Sequence, residues 1–219
     1  PKQYLKIQFI HIQLIYLKLF LKYLIQMKNF KIKIAILLSL ILFTACSSIP
    51  AGPYEKKSDF TWKKVTEETF ITNLQPGDIV IKEKEVNPIG MFGHVAIMIN
   101  ERTLFDYPKF GYKSYYIDIN FWLENGRDII VLRYKDMTDE FRERLIKNMK
   151  KYFGKSYRIS SNRENTDAFY CSQYIWYVYY ITAKEMGFEL DLDSNGGNFV
   201  FPYDFINSPY LEIVNIEKY

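Results

Sequence analysis

Between Phe169 and Tyr180 the chain reads FYCSQYIWYVYY, an aromatic-rich run that predicts a buried helix. Whatever fold the chain adopts has to enclose this segment. Cys171 falls in its first turn, where unpaired backbone N–H groups and the helix macrodipole favour an anion and lower the cost of a thiolate. Asn165, Thr166 and Asp167 stand just upstream and are the expected capping side chains. A cysteine so placed is either a nucleophile or a small buried hydrophobe. Position alone does not choose between the two.

The 219 residues suffice for one domain with a sizeable core plus extensions. A chain that is 48% apolar and 18% aromatic is neither disordered nor low-complexity. Its formal charge of +4 is unevenly placed, because residues 1–45 hold seven lysines and no acidic residue. The remainder has 22 basic against 25 acidic side chains, a net of −3. The folded part therefore gives no electrostatic case for a nucleic-acid partner.

From Met27 the sequence is MKNFKIKIAILLSLILFTAC: a Lys-rich start, an apolar run from Ile34 to Phe43, then small residues before Cys46. This is the order of a secretory signal peptide over 27–45, too short for a membrane span. Thr44-Ala45-Cys46 followed by two serines resembles the lipobox of bacterial lipoproteins, with Phe43 where Leu is usual. That resemblance implies lipidation of Cys46 and a location at the cell envelope, held to the membrane through the N-terminal lipid. Residues 1–26 read as an extension from a start placed too far upstream, with Met27 the initiator. Residues 46–57 read as a tether and 58–219 as the domain.

The cysteine count follows from this. If Cys46 carries lipid, Cys171 has no intrachain partner, and a leftover thiol in an exported protein is a candidate reactive cysteine. With His11 upstream of Met27, the mature chain keeps one histidine, His94. One Cys and one His are too few for a Cys/His zinc site, and no metal or cofactor is implied.

Phe60, Trp62, Val65 and Phe70 suggest a short amphipathic helix before the domain. LQPGDIVI is a turn and a buried strand; NPIGMFG is a loop opening into the strand HVAIMI, which His94 begins. TLFDY is the next strand, and antiparallel pairing places His94 near Asp106. Lys113–Ile119 and DIIVLRY are further strands, with a helical turn at Phe121–Leu123. Thr138 caps a helix whose stripe is Phe141, Leu145, Met149 and Phe153, closed by Gly154. Tyr174, Trp176, Tyr177 and Tyr180 are expected to pack the Cys171 helix on the sheet. The D-x-D-x-N-G run from Asp191 imitates a calcium loop, but Pro202 stands where the bidentate Glu belongs, so it reads as an acidic turn. The whole predicts an α+β domain with an antiparallel sheet packed on helices.

GDIVI, FGHVAIMI, LFDY, GKSY, YCSQYIW and FPYDF follow, in order, the motifs of the permuted papain-like, NlpC-related amidases of YiiX/YaeF type, over residues 74–206. The resemblance implies a circularly permuted papain-like fold. It implies Cys171 as nucleophile, His94 as general base, Asp106 as the residue orienting His94, and Tyr157 as the aromatic of the GKxY motif. Asp106 stands where Glu is usual, one methylene shorter, and Gln173 where Glu commonly follows Cys-Ser. The implied chemistry is a thiolate–imidazolium pair attacking an amide or ester carbonyl. Its oxyanion would lie near the Cys171 N–H and Tyr157, with Gln173 bearing on the charge of the substrate pocket. A monomeric amidase or peptidase acting on a peptide or acyl-amide is the leading expectation. An acyltransferase or lipid hydrolase, and a binding lipoprotein without catalysis, are the alternatives.

Overall fold

The computed structural model describes residues 61–64, 72–85, 90–124 and 126–216. The expected signal peptide, Cys46, the tether and most of the short helix between Phe60 and Phe70 lie outside those residues. Within that last segment Lys63 is described, and it is extended rather than helical. Its N–H and C=O exchange hydrogen bonds of 2.9 and 3.0 Å with Ile129, and Trp62 leans on the Tyr203 ring at 5.5 Å.

Six strands form one antiparallel sheet: β1 (Ile79–Lys82), β2 (His94–Met98), β3 (Thr103–Asp106), β4 (Tyr115–Asp118), β5 (Ile129–Tyr134) and β8 (Leu211–Ile213). Their spatial order is β4-β3-β2-β1-β5-β8. Pleating sends Ile79, Ile81, Val95, Ile97 and Phe105 to one face. There they meet helices α2 (Asp139–Lys151) and α3 (Cys171–Glu185). Val80, Ala96, Met98, Leu104 and Val131 point the other way, onto Leu74, Val214, Ile216 and the short helix α1 (Ile119–Leu123). Both faces of the central strands are covered. That is why IVIK is buried throughout and reads as a continuous apolar run rather than an alternating one.

Helix α2 begins where its sequence says it should. Thr138 is the N-cap and its Oγ1 accepts from the Phe141 N–H at 3.1 Å, with Asp139 and Glu140 in the first turn. Thr138→Ala is expected to cost about 1 kcal/mol. Thermal unfolding should show this as a fall of about 2–4 °C in Tm, given the size of the domain.

Helix α3 is enclosed on every side from Cys171 to Tyr179. Tyr174 stacks on Phe105 at 4.6 Å, while its hydroxyl donates to the Met149 carbonyl at 3.0 Å. Tyr179 donates to the Gly77 carbonyl at 2.6 Å, so these buried phenols keep hydrogen-bond partners. Trp176 lies in the core cluster shared with the sheet, and Tyr180 packs against that cluster. They stack on each other at 4.9 Å, and Trp176 Nε1 donates to Asp191 Oδ1 at 2.7 Å. At about 100° per residue, positions 176 and 180 share a face that 174 does not.

The Asp191 segment is an acidic turn. The Arg163 guanidinium lies 3.0 Å from Asp191 and 3.3 Å from Asp193, so a protein cation sits beside the carboxylates. Beyond it a 3-10 helix, Pro202–Asn207, leads into β8. A second pairing escapes sequence reading altogether: β6 (Ser156–Tyr157) runs parallel to β7 (Ala168–Phe169).

Candidate active site

Because β7 runs straight into α3, the N-cap is Tyr170, in extended conformation, and no side chain caps it. The capping expected from Asn165, Thr166 or Asp167 does not occur. Asn165 Oδ1 instead accepts from the Asp167 N–H at 2.9 Å, and the Thr166 carbonyl accepts from Lys155 Nζ at 2.5 Å. The first turn of α3 thus keeps its N–H groups clear of side-chain caps, directly beside Cys171. Cys171 itself is buried.

The His94–Asp106 proximity is set by register. Met98 opposes Leu104 and Ile97 opposes Phe105, and continuing the pairing puts Asp106 opposite Ala96. His94, two residues earlier, is then a diagonal neighbour on the same face. His94 Nε2 lies 2.8 Å from Asp106 Oδ1. The other carboxylate oxygen, Oδ2, accepts from Trp122 Nε1 at 3.0 Å and from the Tyr115 hydroxyl at 3.3 Å. Tyr115 is the direct cross-strand partner of Asp106. Three donors on a carboxylate that is 2% exposed fix its orientation.

Burial by itself would push the His94 imidazolium to a lower pKa. The charge and hydrogen bond of Asp106, reinforced by a hydrogen bond and charge from Cys171, overcome this and raise it to about 10. With Nε2 engaged by Asp106, Nδ1 is the ring nitrogen left for the sulfur. An imidazole so biased holds its proton at neutral pH.

Tyr157 reaches this neighbourhood through β6, which lies beside the strand leading into Cys171. Burial first, then the charges of Cys171, Tyr170 and Asp106, drive its pKa upward, so it remains an O–H donor. Tyr170 is likewise raised, to about 12, mainly by burial. Gln173 is fully buried. Its Nε2 donates to the carbonyls of Asn162, Arg163 and Asn165 at 3.3, 3.1 and 3.1 Å. It clamps the loop before β7. Sequence reading missed Trp122 and Tyr115. The β3–β4 hairpin register could have revealed Tyr115, whereas no local pattern marks Trp122.

An antiparallel sheet carrying a His–Asp pair, with a cysteine at the N-terminus of a packed helix, defines the papain-like class with its halves in permuted order. Residues 73–215 match the permuted papain-like amidase enzyme family, YaeF/YiiX, C92, and the chain belongs to that family. Its members are papain-like cysteine hydrolases of amidase or peptidase type. Among solved structures it is similar to the metalloprotein yiiX from Escherichia coli. The TM-score is 0.51 at 17% identity, over 65% of this chain and 97% of that one. At that identity the likeness speaks for the fold alone. Among the described residues of this chain, no group of three or more His, Cys, Asp and Glu is arranged to hold a metal ion. Comparison with curated proteins gives no match.

Proposed function

We propose that this chain is a cysteine amidase or peptidase of the bacterial cell envelope, tethered by lipid on Cys46. In this reading Cys171 is the nucleophile, His94 the acid–base group and Asp106 its orienting partner. The observation that carries it is the 2.8 Å His94–Asp106 contact on a strand end, together with the electrostatic coupling of His94 to Cys171 at the uncapped start of α3.

The Cys171 thiolate attacks the carbonyl carbon of an amide, forming a C–S bond while the oxygen takes up negative charge. In this reading the α3 first-turn N–H groups and the Tyr157 O–H donate to that oxygen. As the C–N bond breaks, the His94 imidazolium passes its proton to the departing amine. Neutral His94 then takes a proton from water as it attacks the thioester, releasing the acid and restoring the thiol pair. Asp106 holds the ring orientation throughout without itself accepting a proton.

Cell-wall peptide is the envelope substrate that best suits an amidase. A second reading, hydrolysis or transfer of an acyl chain, draws on the apolar rim of the site. Met91 and Phe92, just before His94, are each 51% exposed. Phe92 stacks on Phe201 at 5.8 Å. Phe199 is exposed beside Val200, whose backbone is tied to Tyr170 and Ser172.

Intact-mass analysis after incubation with activated acyl and peptidyl esters of graded chain length tests both. Wild type should gain the mass of one acyl group and Cys171→Ala none. Preference for peptidyl groups supports the amidase, and preference for long acyl chains the lipid reading. Equal labelling of wild type and Cys171→Ala would remove Cys171 as the nucleophile.

A further inference from the structure

One cation near this site has no part in the chemistry above. Lys82 ends β1, where it is the direct cross-strand partner of His94 on one side and of Ile129 on the other. It is only 4% exposed. Its Nζ donates to the Trp122 carbonyl and lies 3.8 Å from the centroid of the indole ring. That indole is the one whose Nε1 donates to Asp106 Oδ2 at 3.0 Å, and its ring lies 5.8 Å from the His94 ring. The contacts form a continuous path: Lys82 to Trp122, Trp122 to Asp106, Asp106 to His94.

A lysine is a costly way to fill such a place. Burying an ammonium loses its hydration, and an apolar side chain of similar volume would cover Trp122 without that loss. Here burial draws the Lys82 pKa down to about 8; Asp106 and Glu85 oppose that effect, and Arg127 adds to it. Arg127 is itself held by the Glu83 carbonyl and, at 3.6 Å, by Glu85. Asp106 is therefore the foremost charge sustaining the ammonium.

We propose that Lys82 is a positioning residue for the His94–Asp106 pair, acting through both the face and the carbonyl of Trp122. By pinning α1 at Trp122 it aims the indole N–H at Oδ2, which leaves Oδ1 for His94 Nε2. The inference rests on the Cys171–His94 reading given above, which it deepens. A lysine serving stability alone would fix the strand end and leave the thiol unaffected.

The test is the pH profile of Cys171 alkylation by iodoacetamide in the full chain, measured for wild type, Lys82→Met, Trp122→Phe and His94→Ala. Thermal unfolding is measured in parallel. Lys82→Met is expected to slow alkylation on the acid limb roughly tenfold. Trp122→Phe keeps an aromatic ring but removes the N–H, so it should slow that limb too. The double variant should slow it no further than the larger single change. A Lys82→Met profile superimposable on wild type, with only Tm lowered, overturns the proposal. Should Lys82→Met fail to fold, an unshifted Trp122→Phe profile overturns it equally. If wild type and His94→Ala already coincide, the Cys171–His94 reading fails first, an outcome distinct from failure at Lys82.

Discussion

Asp106→Asn is expected to slow acylation of Cys171 by about 10³–10⁴-fold while leaving the protein folded. The amide is isosteric with the carboxylate, so Trp122 and Tyr115 keep an oxygen to donate to. What disappears is the negative charge beside His94 Nε2, 2.8 Å away. Without it, burial dominates the imidazole and its pKa falls from about 10. The thiol then loses its cationic neighbour, and the ring loses the acceptor that fixes its tautomer. The same substitution has a signature in stability. A histidine raised from 6.5 to about 10 on folding binds its proton more tightly in the native state. Its contribution is complete below pH 6.5 and is lost as pH climbs through 10. Urea midpoints of wild type should therefore decline across that window, and those of Asp106→Asn should decline less. Parallel curves would mean that the charge of Asp106 does not hold the His94 proton.

One residue earlier on the same strand, Phe105→Ala is expected to act on the fold instead. Phe105 is 1% exposed and stacked on Tyr174 at 4.6 Å, with Tyr116 and Phe153 edge-on at 5.3 and 5.6 Å. Truncation removes the buried ring and leaves a cavity between the sheet and α3 that helix and strand backbones cannot close. The loss should be about 3–5 kcal/mol, read as a lower urea midpoint at unchanged slope. β3 alternates between these duties: Phe105 faces the helices and Asp106 faces His94. A loss below about 1 kcal/mol would mean that the aromatic layer repacks freely, contrary to a close-packed interior.

Much of this could be read before any coordinates. The β2–β3 hairpin gave the His94–Asp106 pair, because antiparallel register converts sequence spacing into proximity. Asp106 stands one methylene short of the usual Glu, yet its oxygen lies 2.8 Å from His94, so the shorter arm suffices. Thr138 announced α2 because capping is local. The capping of α3 went wrong for a local reason too: β7 pairs with β6 and carries the chain past Asn165–Asp167 in extended form. Trp122 and Lys82 were out of reach for the opposite reason. Each meets its partner through a tertiary turn, Trp122 from 16 residues away and Lys82 from 40, and neither lies in a motif. Gln173 sits in the motif but works on the loop carbonyls, which only the path of residues 162–165 reveals.

The most direct measurement is the rate of alkylation of the Cys171 thiol by a small electrophile across pH, in wild type and His94→Ala. Wild type is expected to alkylate rapidly down to mildly acidic pH, and His94→Ala to lose that reactivity on the acid side. An ordinary wild-type profile that His94→Ala leaves unmoved would contradict the account and leave a papain-like fold used for binding.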